Sequence, residues 1–185
     1  MLNRAIRFLV LGGALAFLFV AARSCQQPPT GVEAFARDSL VRLTSLDAPP
    51  IQPPLTFRDA DGDTLKLEDL RGRKVLLNVW ASWCAPCVAE LPTLEAVAEG
   101  RNDIDVVTVS LDRRPEDAAE FLAREGFDLP AWWDESFSLA GRLKAPGVPV
   151  TVLYNEGGRE VARVAGEADW TSPEATALLD YFAAQ

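Results

Sequence analysis

Along this chain the apolar positions change period several times, and each change marks an element. Residues 8–22 (FLVLGGALAFLFVAA) are an uncharged run, and Val32, Phe35, Ala36, Leu40, Leu43 and Leu46 then recur at roughly helical spacing. That second pattern predicts a short amphipathic helix. Residues 55–67 alternate on either side of Asp61-Gly62, which reads as a hairpin. Residues 74–81 and 104–111 are nearly continuous apolar runs of strand length, as expected of strands covered on both faces. Between them Leu91, Leu94 and Val97 form a helical stripe, which Pro92 should kink by removing a backbone donor. Residues 115–125 predict a helix with proline in its first turn and Gly126 as its stop, and residues 136–144 a shorter one. Residues 150–154 and 160–165 flank the turn sequence NEGG and should pair as an antiparallel hairpin. Ser172-Pro173 opens a last helix carrying Leu178, Leu179 and Phe182.

Charge divides the chain in a way the apolar pattern does not. All 27 acidic residues lie beyond position 23, whereas Arg4, Arg7 and Arg23 are the only charges up to that point, and the formal net charge is −9. Such a surface repels nucleic acid, so no nucleic-acid partner is expected. Arg4 and Arg7 ahead of residues 8–22 predict a cytoplasmic N-terminus and an exported remainder. Residues 1–25 are therefore expected to be a signal anchor in a bacterial inner membrane, spanned once through residues 8–22, with the bulk facing the periplasm. The alternative is a signal peptide cleaved after Val20-Ala21-Ala22, leaving an exported soluble form. Cys25 reads as a lone thiol, because Ala22-Arg23-Ser24 fits a lipid-attachment site poorly. Residues 26–54, with proline at both ends, read as a tether bearing the amphipathic helix, and residues 55–185 as the single working domain.

Candidate chemistry is narrow. The absence of histidine removes Ser/His and Cys/His catalysis and imidazole metal sites. What stands out is Trp83-Cys84-Ala85-Pro86-Cys87, placed where a buried strand meets a helix. A cysteine at a helix N-terminus is held as thiolate by unpaired N–H groups and the helix dipole, and a second cysteine one turn later can resolve the mixed disulfide that the first forms. A bridge closing so short a loop would staple the fold weakly. The cysteines have no partners for a tetrahedral zinc site, so no metal and no cofactor is expected, with Cu(I) handling or an oxidase-assembly scaffold as the rival reading. A peroxidase would want threonine where Ala81 stands. The order strand, helix, strand, helix, strand, strand, helix with Cys-x-x-Cys at the first junction is that of an α/β thioredoxin fold. It is a central mixed sheet flanked by helices, here extended by an N-terminal hairpin and helix.

The stretch Gly72-Arg73-Lys74-Val75-Leu76-Leu77-Asn78-Val79-Trp80-Ala81-Ser82-Trp83-Cys84-Ala85-Pro86-Cys87, with Glu90 and Pro92 after it, resembles the TlpA-type branch of membrane-anchored bacterial thioredoxin-like proteins, relatives of the cytochrome c maturation thioredoxins. The likeness spans about residues 50–184. It implies an exported reductase, recharged by a membrane electron donor, that acts on disulfides of proteins being fitted with haem or copper, such as apocytochromes or copper-site oxidase subunits. It further implies Cys84 as nucleophile, Cys87 as resolving thiol, and Pro149 as a cis-proline exposing the Val148 backbone to the client. Cytosolic thioredoxin carries aspartate where this chain has Asn78, and Glu90 matches the branch's acidic position, so Glu90 is the candidate proton carrier. Trp83 is expected to rim the site and touch the client, while Trp80, Trp132 and Trp133 are expected to pack in the domain.

Overall fold

The computed structural model describes residues 31–185. The expected anchor, its alternative as a signal peptide, and Cys25 fall outside the described residues. Among those residues no helix is long and apolar enough to cross a membrane.

The apolar runs form an eight-stranded mixed sheet. In chain order the strands are β1 (Leu43–Thr44), β2 (Thr56–Arg58), β3 (Thr64–Lys66), β4 (Val75–Trp80), β5 (Asp105–Ser110), β6 (Trp132–Trp133), β7 (Val150–Tyr154) and β8 (Glu160–Ala165). Their order across the sheet is β1-β8-β7-β4-β5-β6-β2-β3. The central β4 pairs in parallel with β5 and antiparallel with β7, and every one of its residues is buried, as its nearly continuous apolar run predicts. Among the described residues four α-helices flank the sheet: α1 (Ala85–Gly100), α2 (Pro115–Glu125), α3 (Leu139–Arg142) and α4 (Pro173–Ala183). α1 runs unbroken through Pro92, and α2 ends on Gly126 at φ 82, a left-handed stop that a side chain would disfavour.

Two apolar layers hold the sheet. On one face Leu76 and Trp80 of β4 meet Leu91 and Leu94 of α1, Leu122 of α2, and Leu178 and Phe182 of α4. On the other, Val75, Leu77 and Val79 meet Phe57 of β2, Leu67 and Leu70 of the turn after β3, and Leu139 and Leu143 around α3. Each fully buried leucine here is worth about 1.5–3 kcal/mol of transfer free energy, so β4 is held from both sides. A strand held in this way gives the Trp83–Cys84 segment at its C-terminal end a fixed point of departure.

The segment predicted as one amphipathic helix folds differently. It forms two 3-10 turns, Gly31–Phe35 and Asp38–Leu40, and then β1, which pairs with β8. Asp38 adopts φ 48, which no continuous helix allows, and the Ser39 N–H and hydroxyl donate to Glu174 in the first turn of α4. The periodicity holds in part: Val32, Leu40 and Leu43 are buried, whereas Leu46 is exposed. β6, carrying Trp132-Trp133, is a strand that the apolar pattern does not announce.

Candidate active site

Cys84 sits at the junction the sequence marks, immediately past β4, where it is the N-cap of α1. Its Sγ accepts from the Cys87 backbone N–H at 3.3 Å, so the helix terminus is turned onto this sulfur. Pro86 occupies the first turn, where its missing N–H costs nothing. Cys84 and Cys87 are disulfide-bonded in this structure. Cys84 retains 6% of its surface in solvent and Cys87 none, so an attacking thiolate meets Cys84.

The loop carrying Trp83 is fixed from beneath by Asp112, just beyond the end of β5. Its buried carboxylate accepts from the Ser82 N–H at 3.0 Å, the Ser82 hydroxyl at 2.8 Å and the Ser110 hydroxyl at 2.6 Å. Trp83 itself is 68% exposed beside the cysteines, whereas Trp80 is fully buried and Trp132 and Trp133 are half-buried in the sheet. Facing the cysteines, the Val148–Pro149 peptide is cis, and the Val148 carbonyl oxygen lies 3.6 Å from Cys84 Sγ. The reduced thiol would donate to this oxygen. A groove of about 550 Å3 opens here, lined by Pro86, Val148, Pro149 and Ala168, with Val41 and Arg42 of the N-terminal segment along one side.

Glu90 lies one turn beyond Cys87 on the same face of α1 and is 1% exposed, more deeply placed than a half-buried carboxylate. Its Oε1 accepts from Asn78 Nδ2 at 2.5 Å and its Oε2 from the Ala168 backbone N–H at 3.1 Å. Asn78 Nδ2 also donates to Thr151 Oγ1 at 2.9 Å, across the β4–β7 register that sets these two residues side by side. Burial raises the Glu90 pKa from 4.5 to about 8, against the two hydrogen bonds that favour its ionised form, and nearby Glu167 adds to the rise. The carboxyl is therefore mostly protonated at neutral pH.

All six residues singled out from the sequence, Trp83, Cys84, Cys87, Glu90, Val148 and Pro149, thus converge where β4, α1 and the loop before β7 meet. Three contributors escape a reading of the sequence: Asp112, Thr151 and the N-terminal wall at Val41–Arg42. Thr151 carries a signal, since it is a hydroxyl inside an otherwise apolar buried strand. Asp112 carries one too, as the first carboxylate after a parallel strand that neighbours the cysteine junction. Among the described residues no group of three or more Cys, His, Asp or Glu side chains is arranged to hold a metal ion.

The Redoxin family's sequence profile matches residues 47–179, a span that includes every one of these site residues except the N-terminal wall. The chain belongs to the Redoxin family. Within it the likeness is to thioredoxin-like proteins of the TlpA and ResA type. The thiol-disulfide oxidoreductase ResA of Bacillus anthracis is 27% identical over 169 residues, which cover 90% of this chain and 88% of that one. ResA of Bacillus subtilis is 27% identical over 116 residues, covering 62% of this chain and 65% of that one. Among solved structures, a thiol:disulfide interchange protein DsbE from Chlorobium tepidum superposes with a TM-score of 0.67 at 25% identity, covering 75% of this Redoxin-family chain and 99% of the other. A secreted thiol-disulfide isomerase from Corynebacterium glutamicum shares the fold, with a TM-score of 0.64 at 21% identity over 78% of this chain and 93% of that one.

Proposed function

We propose that this chain is a periplasm-facing reductase of protein disulfides, held at the inner membrane by residues 8–22, whose clients are proteins being prepared for haem or copper insertion. The observation that carries the reading is the pairing of an N-cap cysteine with a resolving cysteine and a buried, protonated carboxyl one turn further on. The thiol:disulfide oxidoreductase names of its relatives support the chemistry, and the basic flank of residues 8–22 supports the compartment.

In the reduced protein the Cys84 thiolate attacks one sulfur of the client disulfide. That S–S bond breaks, the client's other sulfur leaves and takes up a proton, and Cys84 is joined to the client. Cys87 then gives its proton to the ionised form of Glu90 and attacks Cys84 Sγ. The second client sulfur leaves, and the structure's Cys84–Cys87 bridge results, two electrons having passed to the client. Burial lifts the Glu90 carboxyl from 4.5 to about 8, which makes it a far better proton acceptor for a thiol than an ordinary carboxylate would be. Recharging runs in reverse. The donor thiolate attacks the accessible Cys84, and the buried Cys87 thiolate that departs is neutralised by the proton Glu90 already holds.

The test is trapping. Cys87→Ser in the full-length chain should accumulate mixed disulfides with client proteins in intact cells quenched with acid and alkylated, because the attacking cysteine remains and the resolving one is gone. Accumulation with Cys84→Ser in place of Cys87→Ser would reverse the roles assigned here.

A further inference from the structure

A second groove begins at Ser82 and Trp83 and runs away from the cysteines over α2, with a volume of about 670 Å3. Exchange between the two cysteines and Glu90 makes no use of it. Its apolar lining is Trp83, Leu111, Phe121 and Phe137, and two of these aromatic rings stand largely in water, Trp83 at 68% and Phe137 at 51% exposure.

Phe137 is the anomaly. It adopts φ 51, the left-handed region that bulky L-residues avoid and that a turn normally assigns to Gly or Asn. Residues held this way persist only where their surroundings fix them, and they gather at binding sites. The surroundings here do fix it. The Phe137 N–H donates to the Asp134 carbonyl at 3.1 Å. The buried Asp134 carboxylate in turn accepts from the Ser136 hydroxyl at 2.5 Å and the Leu139 N–H at 2.7 Å. The Phe137 ring meets Trp133 edge-on with centroids 6.4 Å apart, and Trp133 Nε1 donates to the Asp112 carbonyl at 2.7 Å. Asp112 is the residue that pins Ser82. The perch of Phe137 and the loop of Trp83 are therefore linked to one another through Trp133 and the buried Asp112.

Arg113 and Arg124 on the rim are matched by Asp117 and Glu120, two charges of each sign, so the rim does not choose a ligand by net charge. Arg124 is paired with Glu125 and stacked 5.1 Å over Phe121, and Asp117 is paired with Arg114. Recognition in this groove rests on apolar contact between preorganised aromatic walls.

We infer that this groove is a client subsite, with Phe137 as a specificity residue, and that it takes a large apolar side chain standing next to the client's disulfide cysteine. The occupant is a polypeptide because Ser82 and Trp83, the two residues before Cys84, line the groove, so a chain whose cysteine bonds Cys84 passes beside its mouth. The inference rests on the disulfide-reductase reading above.

The full-length protein, reduced and in detergent, would be assayed with three substrates. They are bis(2-hydroxyethyl) disulfide and two cyclic disulfide peptides that differ only in having Phe or Ser beside one cysteine. Wild type should prefer the Phe peptide in kcat/KM by roughly 10-fold, the scale of one apolar pocket contact. Phe137→Ala and Phe137→Asn should bring that ratio close to 1. Asn tolerates positive φ, so a collapsed ratio in this variant is not a misfolded loop. A ratio that survives in both variants, or is near 1 in wild type, overturns the subsite. So does a Phe137 variant that changes only the oligomeric state, which would give the groove to a second copy of the chain. Failure of wild type to reduce bis(2-hydroxyethyl) disulfide is a different result, because it removes the reductase reading itself and the subsite with it.

Discussion

Replacing Glu90 by Gln should change how stability depends on pH, and the structure sets the size of the effect. The Glu90 pKa is raised from 4.5 to about 8 by burial, so between these values the folded protein binds more protons at this site than the unfolded chain. Stability conferred by the neutral carboxyl is then fully present below pH 4.5, falls as pH rises through the interval, and levels off above the folded pKa. At about 1.4 kcal/mol per pH unit, ionising this group in place costs on the order of 5 kcal/mol across the whole window, a large part of a typical domain's 5–15 kcal/mol. Gln cannot ionise. Its amide oxygen can accept from the Ala168 N–H, and its NH2 can donate to Asn78 Oδ1, which has no partner among the described residues, once the Asn78 amide turns over to present that atom in place of Nδ2. Oxidised wild type and Glu90→Gln would be unfolded in urea at intervals from pH 5 to 9. The bridge keeps Cys84 and Cys87 from titrating and the chain has no histidine, and groups shared by the two proteins cancel in the difference between them. The carboxylates with lowered pKa, Asp103, Asp117 and Glu174 among them, act below this window. Wild type should lose several kcal/mol relative to the variant over this range, most of it between pH 5 and 8. A difference curve flat to within about 1 kcal/mol would refute the claim that Glu90 is a proton-holding group.

Two further outcomes are expected. Ala85-Pro86 between the cysteines provides no histidine to stabilise the thiolate form further, so equilibration of the full-length chain against dithiothreitol or glutathione buffers should give a potential on the thioredoxin side. A value above about −180 mV, that of protein disulfide isomerase, would contradict a reductase and favour an isomerase or oxidant. Ser172→Ala removes the hydroxyl that accepts from the Ala175 N–H at 3.2 Å and faces Ser39 Oγ at 2.9 Å, so it should destabilise the oxidised protein by about 1 kcal/mol in urea melts. No measurable loss would mean that α4 does not depend on this cap.

The sheet is readable from the sequence where burial dictates the pattern. β4, β5, β7 and β8 are apolar because both faces are covered or because one face alternates, and their boundaries follow. α2 announces both ends, with Pro115 at its start and Gly126 at its finish. The 31–46 segment misleads because its apolar residues do point inward, but at intervals set by two 3-10 turns and a strand. A periodicity count cannot distinguish this from a helix once Asp38 takes a positive φ. The cysteine pair and Glu90 are visible because their chemistry depends on local spacing along one helix. The roles of Asp112, Thr151 and Phe137 are not, since each acts through residues far away in sequence: Asp112 on Ser82, Thr151 on Asn78, and Phe137 on a groove formed with Trp83.

β1 covers two residues of β8, pairing Leu43 with Val164 and Thr44 with Arg163, and Ile51 bridges to Arg159 further along the same side. β8 would otherwise offer a row of unpaired N–H and C=O groups, with Val164 and Ala162 beneath, which is the template that recruits strands from neighbouring molecules. The Redoxin profile matches from residue 47, so the two paired residues of β1 lie upstream of that matched span. That upstream segment therefore does more than connect. It keeps part of this sheet edge occupied from within, so a fragment begun at residue 47 would leave Val164 and Arg163 of β8 without their strand partners.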